Sequence, residues 1–294
     1  MADLSTALPS ENLHIFDLPY RFSSGSLDDP ENTRLWFDHN GQLVAWAVMQ
    51  APFWAIDYAL APGSPPAFHR EVLSWADDRA RALLDSPGGH PCWFINVFTD
   101  QMQRIRDLNA FGFIDQSDVG VDSWSKVFMR RPAGLSVKDF RIPLDFTIRP
   151  LHTESEIPAY VELHQVVFES KSMNEVWRSR ILRHPAYRSE FDLVAAAPGG
   201  RLGAFCIGWL HRSPTGIVTA QIEPLGCHLD FRRFALGRLV LAEAVRRLQI
   251  AGASAIYVET DNYRSTAFAL YESLGFQVHQ NVFVFRKDYG EIDD

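Results

Sequence analysis

Residues 230–239 read Asp230-Phe231-Arg232-Arg233-Phe234-Ala235-Leu236-Gly237-Arg238-Leu239. Upstream, Ile217 to Leu225 predicts a strand. Downstream, Leu236, Leu239, Val240, Ala244, Val245 and Leu248 recur at helical spacing and predict a helix with one apolar stripe. The stretch is therefore a sharp strand-to-helix turn carrying arginines and small residues. The first turn of a helix has backbone N–H groups without intrahelical partners, at the positive end of the macrodipole. Such an end attracts phosphate. Ala235 and Gly237 carry little or no side chain and let a ligand approach the backbone. Arg232 can add a charge-assisted bond to a phosphate oxygen. The physical reading is a pyrophosphate cradle.

Around this turn, the chain of 294 residues is long enough for two domains. A formal net charge of -8 argues against nucleic acid as the main partner, which needs a basic face. It is compatible with a cationic amine substrate. Cys92, Cys206 and Cys227 are widely spaced, and the histidines show no metal-ligand spacing; reduced thiols in a cytoplasmic protein are expected. No leader pattern opens the chain and no apolar run is long enough to span a bilayer.

Residues 1 to 30 are rich in Ser, Pro and Asp and are expected to wrap the surface or lie partly disordered. Strand-like runs at Arg34 to Asp38 and Gln42 to Met49 meet at Asn40-Gly41, a hairpin signal. A strand follows at Ala55 to Leu60, then a helix from about Ala67 to Leu84, a strand at Cys92 to Phe98 and a helix at Gln101 to Ala110. Gly112-Phe113 ends that helix, and Ser123 to Met129 is the last strand of this half. Residues 131 to 145 read as a linker. The second half opens with a strand at Phe146 to Arg149 and helices at about Glu154 to Phe168 and Asn174 to Leu182. A hairpin, Phe191 to Ala197 and Arg201 to His211, turns at Gly199-Gly200. After the helix that follows the cradle come a strand at Ala255 to Thr260 and a helix at Ser265 to Leu274, ended by Gly275-Phe276. Two strands, Phe276 to His279 and Val282 to Arg286, close the sheet.

The halves repeat each other: a glycine-turned hairpin, then strand, helix, strand, helix, Gly-Phe and strand. Gly41 to Gly112 spans 71 residues and Gly200 to Gly275 spans 75. The copies differ where chemistry would sit. The first has Ala61 to Ala67 at the cradle position, with no arginine and with Pro62, Pro65 and Pro66, which lack N–H donors. Four residues before Gly-Phe, the second copy has Tyr271 and the first has Leu108. Six tryptophans (Trp36, Trp46, Trp54, Trp75, Trp93, Trp124) fall in the first half, where core packing explains them better than an acceptor pocket.

Arg232-x-x-Ala235-x-Gly237 after a strand resembles the coenzyme A signature of the GNAT N-acetyltransferases, with Ala235 where glycine is usual. Tyr271-x-x-x-Gly275-Phe276 resembles a second GNAT signature. The usual pattern has Asn seven residues before that tyrosine, and Arg264 stands here. The resemblance covers about 146 to 290 clearly and 34 to 130 faintly. It implies an α/β fold of two tandem GNAT-like domains, each a mixed, largely antiparallel sheet flanked by helices with a splayed strand pair. The expected division is 1–135, a degenerate copy, and 142–294, the catalytic copy. Acetyl-CoA, as co-substrate, would bind in the splay through Leu225, Gly226 and Cys227 and through Arg232, Arg233, Phe234, Ala235, Leu236, Gly237 and Arg238, with Arg264 a further contact. The implied reaction is direct attack of a small-molecule amine on the thioester, which releases a thiolate that the Tyr271 phenol can protonate. The general base is Glu223 or His228; with a two-residue strand period Glu223 shares a face with Leu225 and Cys227. Two other readings are acetylation of an amino-sugar thiol precursor, as in tandem GNAT proteins such as mycothiol synthase, and a non-catalytic acyl-CoA-binding regulator.

Overall fold

The computed structural model describes residues 12–13, 16–86, 89–118, 125–151, 153–213, 215–261 and 265–290. Arg264 and Trp124 lie outside the described residues.

The first half begins with a short helix, α1 (Leu18–Phe22). Phe16, Asp17, Leu18, Tyr20 and Arg21 are all buried. That part of the Ser/Pro/Asp-rich segment is core, contrary to the expectation of a surface wrap. The reason is the apolar and aromatic content of residues 16–22, which overrides the composition of their neighbours. Strands β1 (Thr33–Phe37) and β2 (Leu43–Gln50) pair antiparallel around Gly41, whose φ of 74° favours glycine. β3 (Ala55–Leu60) continues the sheet, and α2 (Pro66–Leu83) buries Val72, Leu73, Ala76 and Ala80 against it. β4 (Cys92–Phe98), α3 (Met102–Ala110), β5 (Ile114–Asp115) and β6 (Ser125–Pro132) complete the half.

The second half repeats this order. β7 (Thr147–Pro150), α4 (Ile157–Phe168) and α5 (Glu175–Arg183) precede β8 (Asp192–Ala196), β9 (Leu202–Arg212) and β10 (Val218–Cys227). α6 (Leu236–Ile250), β11 (Ala255–Asp261), α7 (Ser265–Ser273) and β12 (Gln277–Asp288) follow. α6 buries Leu236, Leu239, Val240, Val245 and Leu248 on one sheet face, each side chain contributing about 1.5–3 kcal/mol. α4 and α5 cover the opposite face with Tyr160, Leu163, Trp177 and Ile181. The Gly-Phe terminators match in detail. Phe113 N–H donates to Leu108 O and Phe276 N–H to Tyr271 O, at 3.0 and 3.2 Å, with Gly112 and Gly275 both left-handed. Leu108 and Tyr271 are thus equivalent positions.

The tandem copies do not close separate sheets. One sheet runs β1-β2-β3-β4-β12-β6-β11-β10-β9-β8-β7, with β5 on β12. β6 of the first half lies between β11 and β12 of the second, and β12 lies between β6 and β4. β12 is continuous, where two strands were expected. Its early residues pair with β6, and from Val282 it also pairs with β4. Residues 133–146 between the halves carry no strand or helix.

Candidate active site

β10 and β11 pair in parallel only over Thr219–Gln221 and Ala255–Tyr257. Beyond that rung the strands part, and the edge of β10 from Glu223 to Cys227 has no strand beside it among the described residues. The cause is visible in β10. Its register with β9 shifts between Ile222 and Leu225, so Glu223 and Pro224 stand where one residue would, a β-bulge that bends the strand. The bulge also reverses the alternation. Leu225 and Cys227 pack into the α6 core with Ala220 and Ile222. Gly226 faces Phe205 and Val167 on the other side, where a Cβ would come within 2.4 Å of Phe205. The expectation that Glu223 shares a face with Leu225 and Cys227 is thereby corrected.

A cavity of about 400 Å3 fills the gap. Leu225, Thr260, Ala267 and Tyr271 line it, and so do Gln221, Glu223, Glu259 and Asp261. Tyr271 belongs to the α6-side core, and strand alternation puts Thr260 there with Ile256 and Val258. Glu259 and Asp261 alternate to the opposite side with Tyr257. There the wall comes from the first half and from α4 and α5: Asp17, Tyr20, Arg21, Phe53, His164 and Trp177. Tyr20 is 3.1 Å from His164 Nε2. Arg21 donates to both oxygens of Asp57, at 2.6 and 2.9 Å, and Lys126 donates to Glu259 at 2.7 Å. Burial pushes His164 down to about 3, so its ring is neutral. Burial raises the Tyr20 phenol well above its usual value.

Glu223, Leu225 and Tyr271 therefore meet in one cavity. His228 does not join them. It caps a 3-10 helix, Leu229–Phe234, accepting from Asp230 N–H through Nδ1 at 3.1 Å, while Nε2 faces Arg201 at 3.2 Å. Arg232, Arg233 and Phe234 belong to that 3-10 helix, and α6 starts only at Leu236. The expected direct passage from strand into helix is interrupted. Ala235 makes the junction in the left-handed conformation, with φ of 53°, where glycine would carry less strain.

Coenzyme A's pyrophosphate and pantetheine arm can be tested against these residues. Arg232, Arg233 and Arg238 are exposed, and among the described residues none pairs with a carboxylate; Asp230, the nearest acid in sequence, is held by Arg201 at 2.9 Å. At the start of α6, Arg238 N–H already donates to Ala235 O at 3.0 Å and Leu239 N–H to the same oxygen at 3.2 Å. Gly237 N–H is directed at the Cys227 thiol, which burial pushes up while that N–H and Arg232 oppose the rise. A Cβ at Gly237 would stand 3.5 Å from Cys227 and 3.9 Å from Leu270, so the turn abuts β10 and α7, the two elements that carry Leu225 and Tyr271. Unpaired arginines, an open strand edge and a gap reaching Tyr271 fit the cofactor. The equivalent turn of the first half lines a smaller cavity of about 170 Å3 with Pro65, Pro66 and His69. Gln221, Tyr20 and His164 escaped the sequence reading, since no local motif marks them.

Residues 157–276 match the model of the acetyltransferase (GNAT) family. The mycothiol acetyltransferase of Salinispora arenicola is 26% identical over 153 residues, 50% of each chain. The ribosomal protein bS18-alanine N-acetyltransferase of Salmonella typhimurium is 30% identical over 89 residues, 30% of this chain and 54% of that one. The chain thus spans about half the length of these curated relatives. Among solved structures, a GCN5-related N-acetyltransferase from Sphaerobacter thermophilus superposes with a TM-score of 0.68 at 14% identity, covering 90% of this chain and 82% of that one. A tandem GNAT protein from the clavulanic acid biosynthesis pathway gives 0.67 at 13% identity, covering 99% and 94%. These two likenesses are of fold, the second to a protein with tandem GNAT architecture.

Proposed function

We propose that this chain, a GNAT protein whose residues 157–276 match the family's acetyltransferase unit, transfers an acetyl group from acetyl-CoA to an amine. The observation that carries the reading is the gap between β10 and β11, where Tyr271 stands on one side of the sheet and Glu223 on the other, in one cavity. Arg232, Arg233, Phe234, Ala235, Leu236, Gly237 and Arg238 would hold the pyrophosphate. The open edge from Leu225 to Cys227 would take the pantetheine arm by backbone hydrogen bonds. When bound, acetyl-CoA supplies a thioester whose acyl carbon can be attacked and whose sulfur can leave. Tyr271 would give that sulfur a proton, and Glu223 would take one from the acceptor nitrogen. The bulge at Glu223–Pro224 turns the strand where both groups are needed. The first half, as residues 1–135, serves as the acceptor wall, and 142–294 as the catalytic copy.

The test is release of coenzyme A from acetyl-CoA with a panel of small amines, alongside equilibrium binding of acetyl-CoA. Turnover that depends on the amine is expected, with one cofactor site per chain. Two equal cofactor sites, or tight binding without any amine-dependent release, would reject the reading.

A further inference from the structure

The side of the cavity facing α1, α4 and α5 is rich in hydrogen-bond acceptors and in negative charge. Gln221 lies on the last rung before the strands part and lines the cavity. It is 2% exposed, and its Oε1 has no hydrogen-bond partner among the described residues. A buried amide oxygen without a donor carries an uncompensated desolvation cost, which a donor on a guest would remove. His164 Nδ1, also buried, has no hydrogen-bond partner among the described residues. Four carboxylates line the cavity (Asp17, Glu223, Glu259, Asp261) against two cations. Those cations are already engaged, Arg21 with Asp57 and Lys126 with Glu259, so neither is poised for a guest carboxylate or phosphate. The rest of this wall combines Ser170 and Ser172 with aromatic rings, of which Phe53 already lies under the Arg21 guanidinium at 4.2 Å. Tyr20, Phe53 and Trp177 pack with centroids 5.1 to 6.1 Å apart, and aromatic faces attract cations.

We propose that the acceptor is a small polycationic amine, with two or more ammonium groups and no anionic group. One nitrogen reacts and a second ammonium donates to Gln221 Oε1 on the side of the cavity that Asp261 lines, Glu259 being paired with Lys126. The inference rests on the acetyl-transfer reading. In the reaction the acceptor nitrogen forms a C–N bond to the acyl carbon as the C–S bond breaks. The reacting ammonium first gives one proton to solvent and attacks as the free amine. Its second proton goes to the base as the C–N bond forms, and the sulfur gains one from Tyr271, which the base's proton replaces through solvent. The product is a monoacetylated amine with one positive charge fewer.

The experiment compares 1,5-diaminopentane, pentylamine and 5-aminopentanoate on the full chain, by coenzyme A release and separately by calorimetric binding. The diamine is expected to exceed pentylamine by about tenfold in kcat/KM, the size of one charge-assisted hydrogen bond, with 5-aminopentanoate slowest. Gln221→Leu and Asp261→Asn should each shrink the diamine advantage to about threefold or less, as a lost partner predicts. Gln221→Leu should not lower the thermal midpoint, because it removes an unsatisfied buried oxygen. Equal turnover of the three, or preference for the amino acid, overturns the polycation proposal and leaves acetyl transfer standing. Tighter calorimetric binding of the diamine with no release of coenzyme A from any amine does the reverse. A diamine that binds no more tightly than pentylamine overturns the proposal whatever the turnover.

Discussion

At the scale of single residues, the cavity depends on a few side chains in fixed places. Tyr271→Phe keeps the ring, which packs edge-on to Phe276 at 5.7 Å, and removes only the hydroxyl. The variant should fold, bind acetyl-CoA as before and release coenzyme A about a hundredfold more slowly, within the usual range of acid–base assistance; full-rate turnover would make the tyrosine a packing residue. Glu223→Gln should lower kcat more than it changes cofactor binding, since a base acts in the transition state. An unchanged pH–rate profile would remove Glu223 from the role. Tyr271 was legible because it breaks the repeat at Leu108, and Glu223 because it precedes the cradle on a strand. Gln221, Tyr20 and His164 were not legible. They meet only through packing between α1, α4 and β10, contacts that leave no local pattern in the sequence.

Among the elements, the junction of β10 with α6 and the helix pair α2–α3 invite separate tests. The sequence predicts the cradle as the first turn of a helix, but Leu229–Phe234 forms a 3-10 turn first. A strand followed by apolar helical spacing fixes the helix, whereas the turn between them depends on the His228 cap and the left-handed Ala235. Arg232 is therefore presented at the exposed end of a tight turn. Arg232→Ala should weaken acetyl-CoA binding by about tenfold, as loss of one charge-assisted bond implies, and should flatten the dependence on salt; Pro65→Ala should do neither. In the first half, His69 ties α2 to α3 through Asp107 and to β3 through Tyr58, each at 2.9 Å. Burial pushes it down to about 4, against the pull of Asp107. An unfolded imidazole titrates near 6.5. Below that pH the unfolded chain takes a proton that the folded one refuses, so the stability present above 6.5 is lost as pH falls towards 4. The loss from this group approaches about 3 kcal/mol. Urea midpoints should fall steadily from pH 7 to 4.5; a constant midpoint would show that His69 is protonated without penalty.

For the whole molecule, the exchange of β6 and β12 decides how the halves can be used. The repeat was readable from matched Gly-turns and Gly-Phe terminators, and each final strand from its β-prone residues. Their partners were not, because a strand's sequence states its faces and not which distant edge it joins. β6 fills the edge of β11 and supplies Lys126 to Glu259. Its Arg131, 1% exposed, donates to Leu274 O at 2.6 Å, just past the end of the helix that carries Tyr271. Residues 142–294 alone would leave β11 with an unpaired edge, an invitation to aggregate, and would lack the Tyr20–Phe53 wall. We expect that fragment to be insoluble or partly unfolded, and to regain acetyl-CoA binding only when produced together with residues 1–141, as a one-to-one complex. Size-exclusion chromatography with calorimetry of the separate and paired fragments measures this. If 142–294 is a monomer that binds acetyl-CoA as the full chain does, the exchanged strands join two self-sufficient domains. If pairing restores binding, the first half is part of the site's scaffold, which explains why a copy without its own arginine cradle still supplies a core, a strand and a cavity wall.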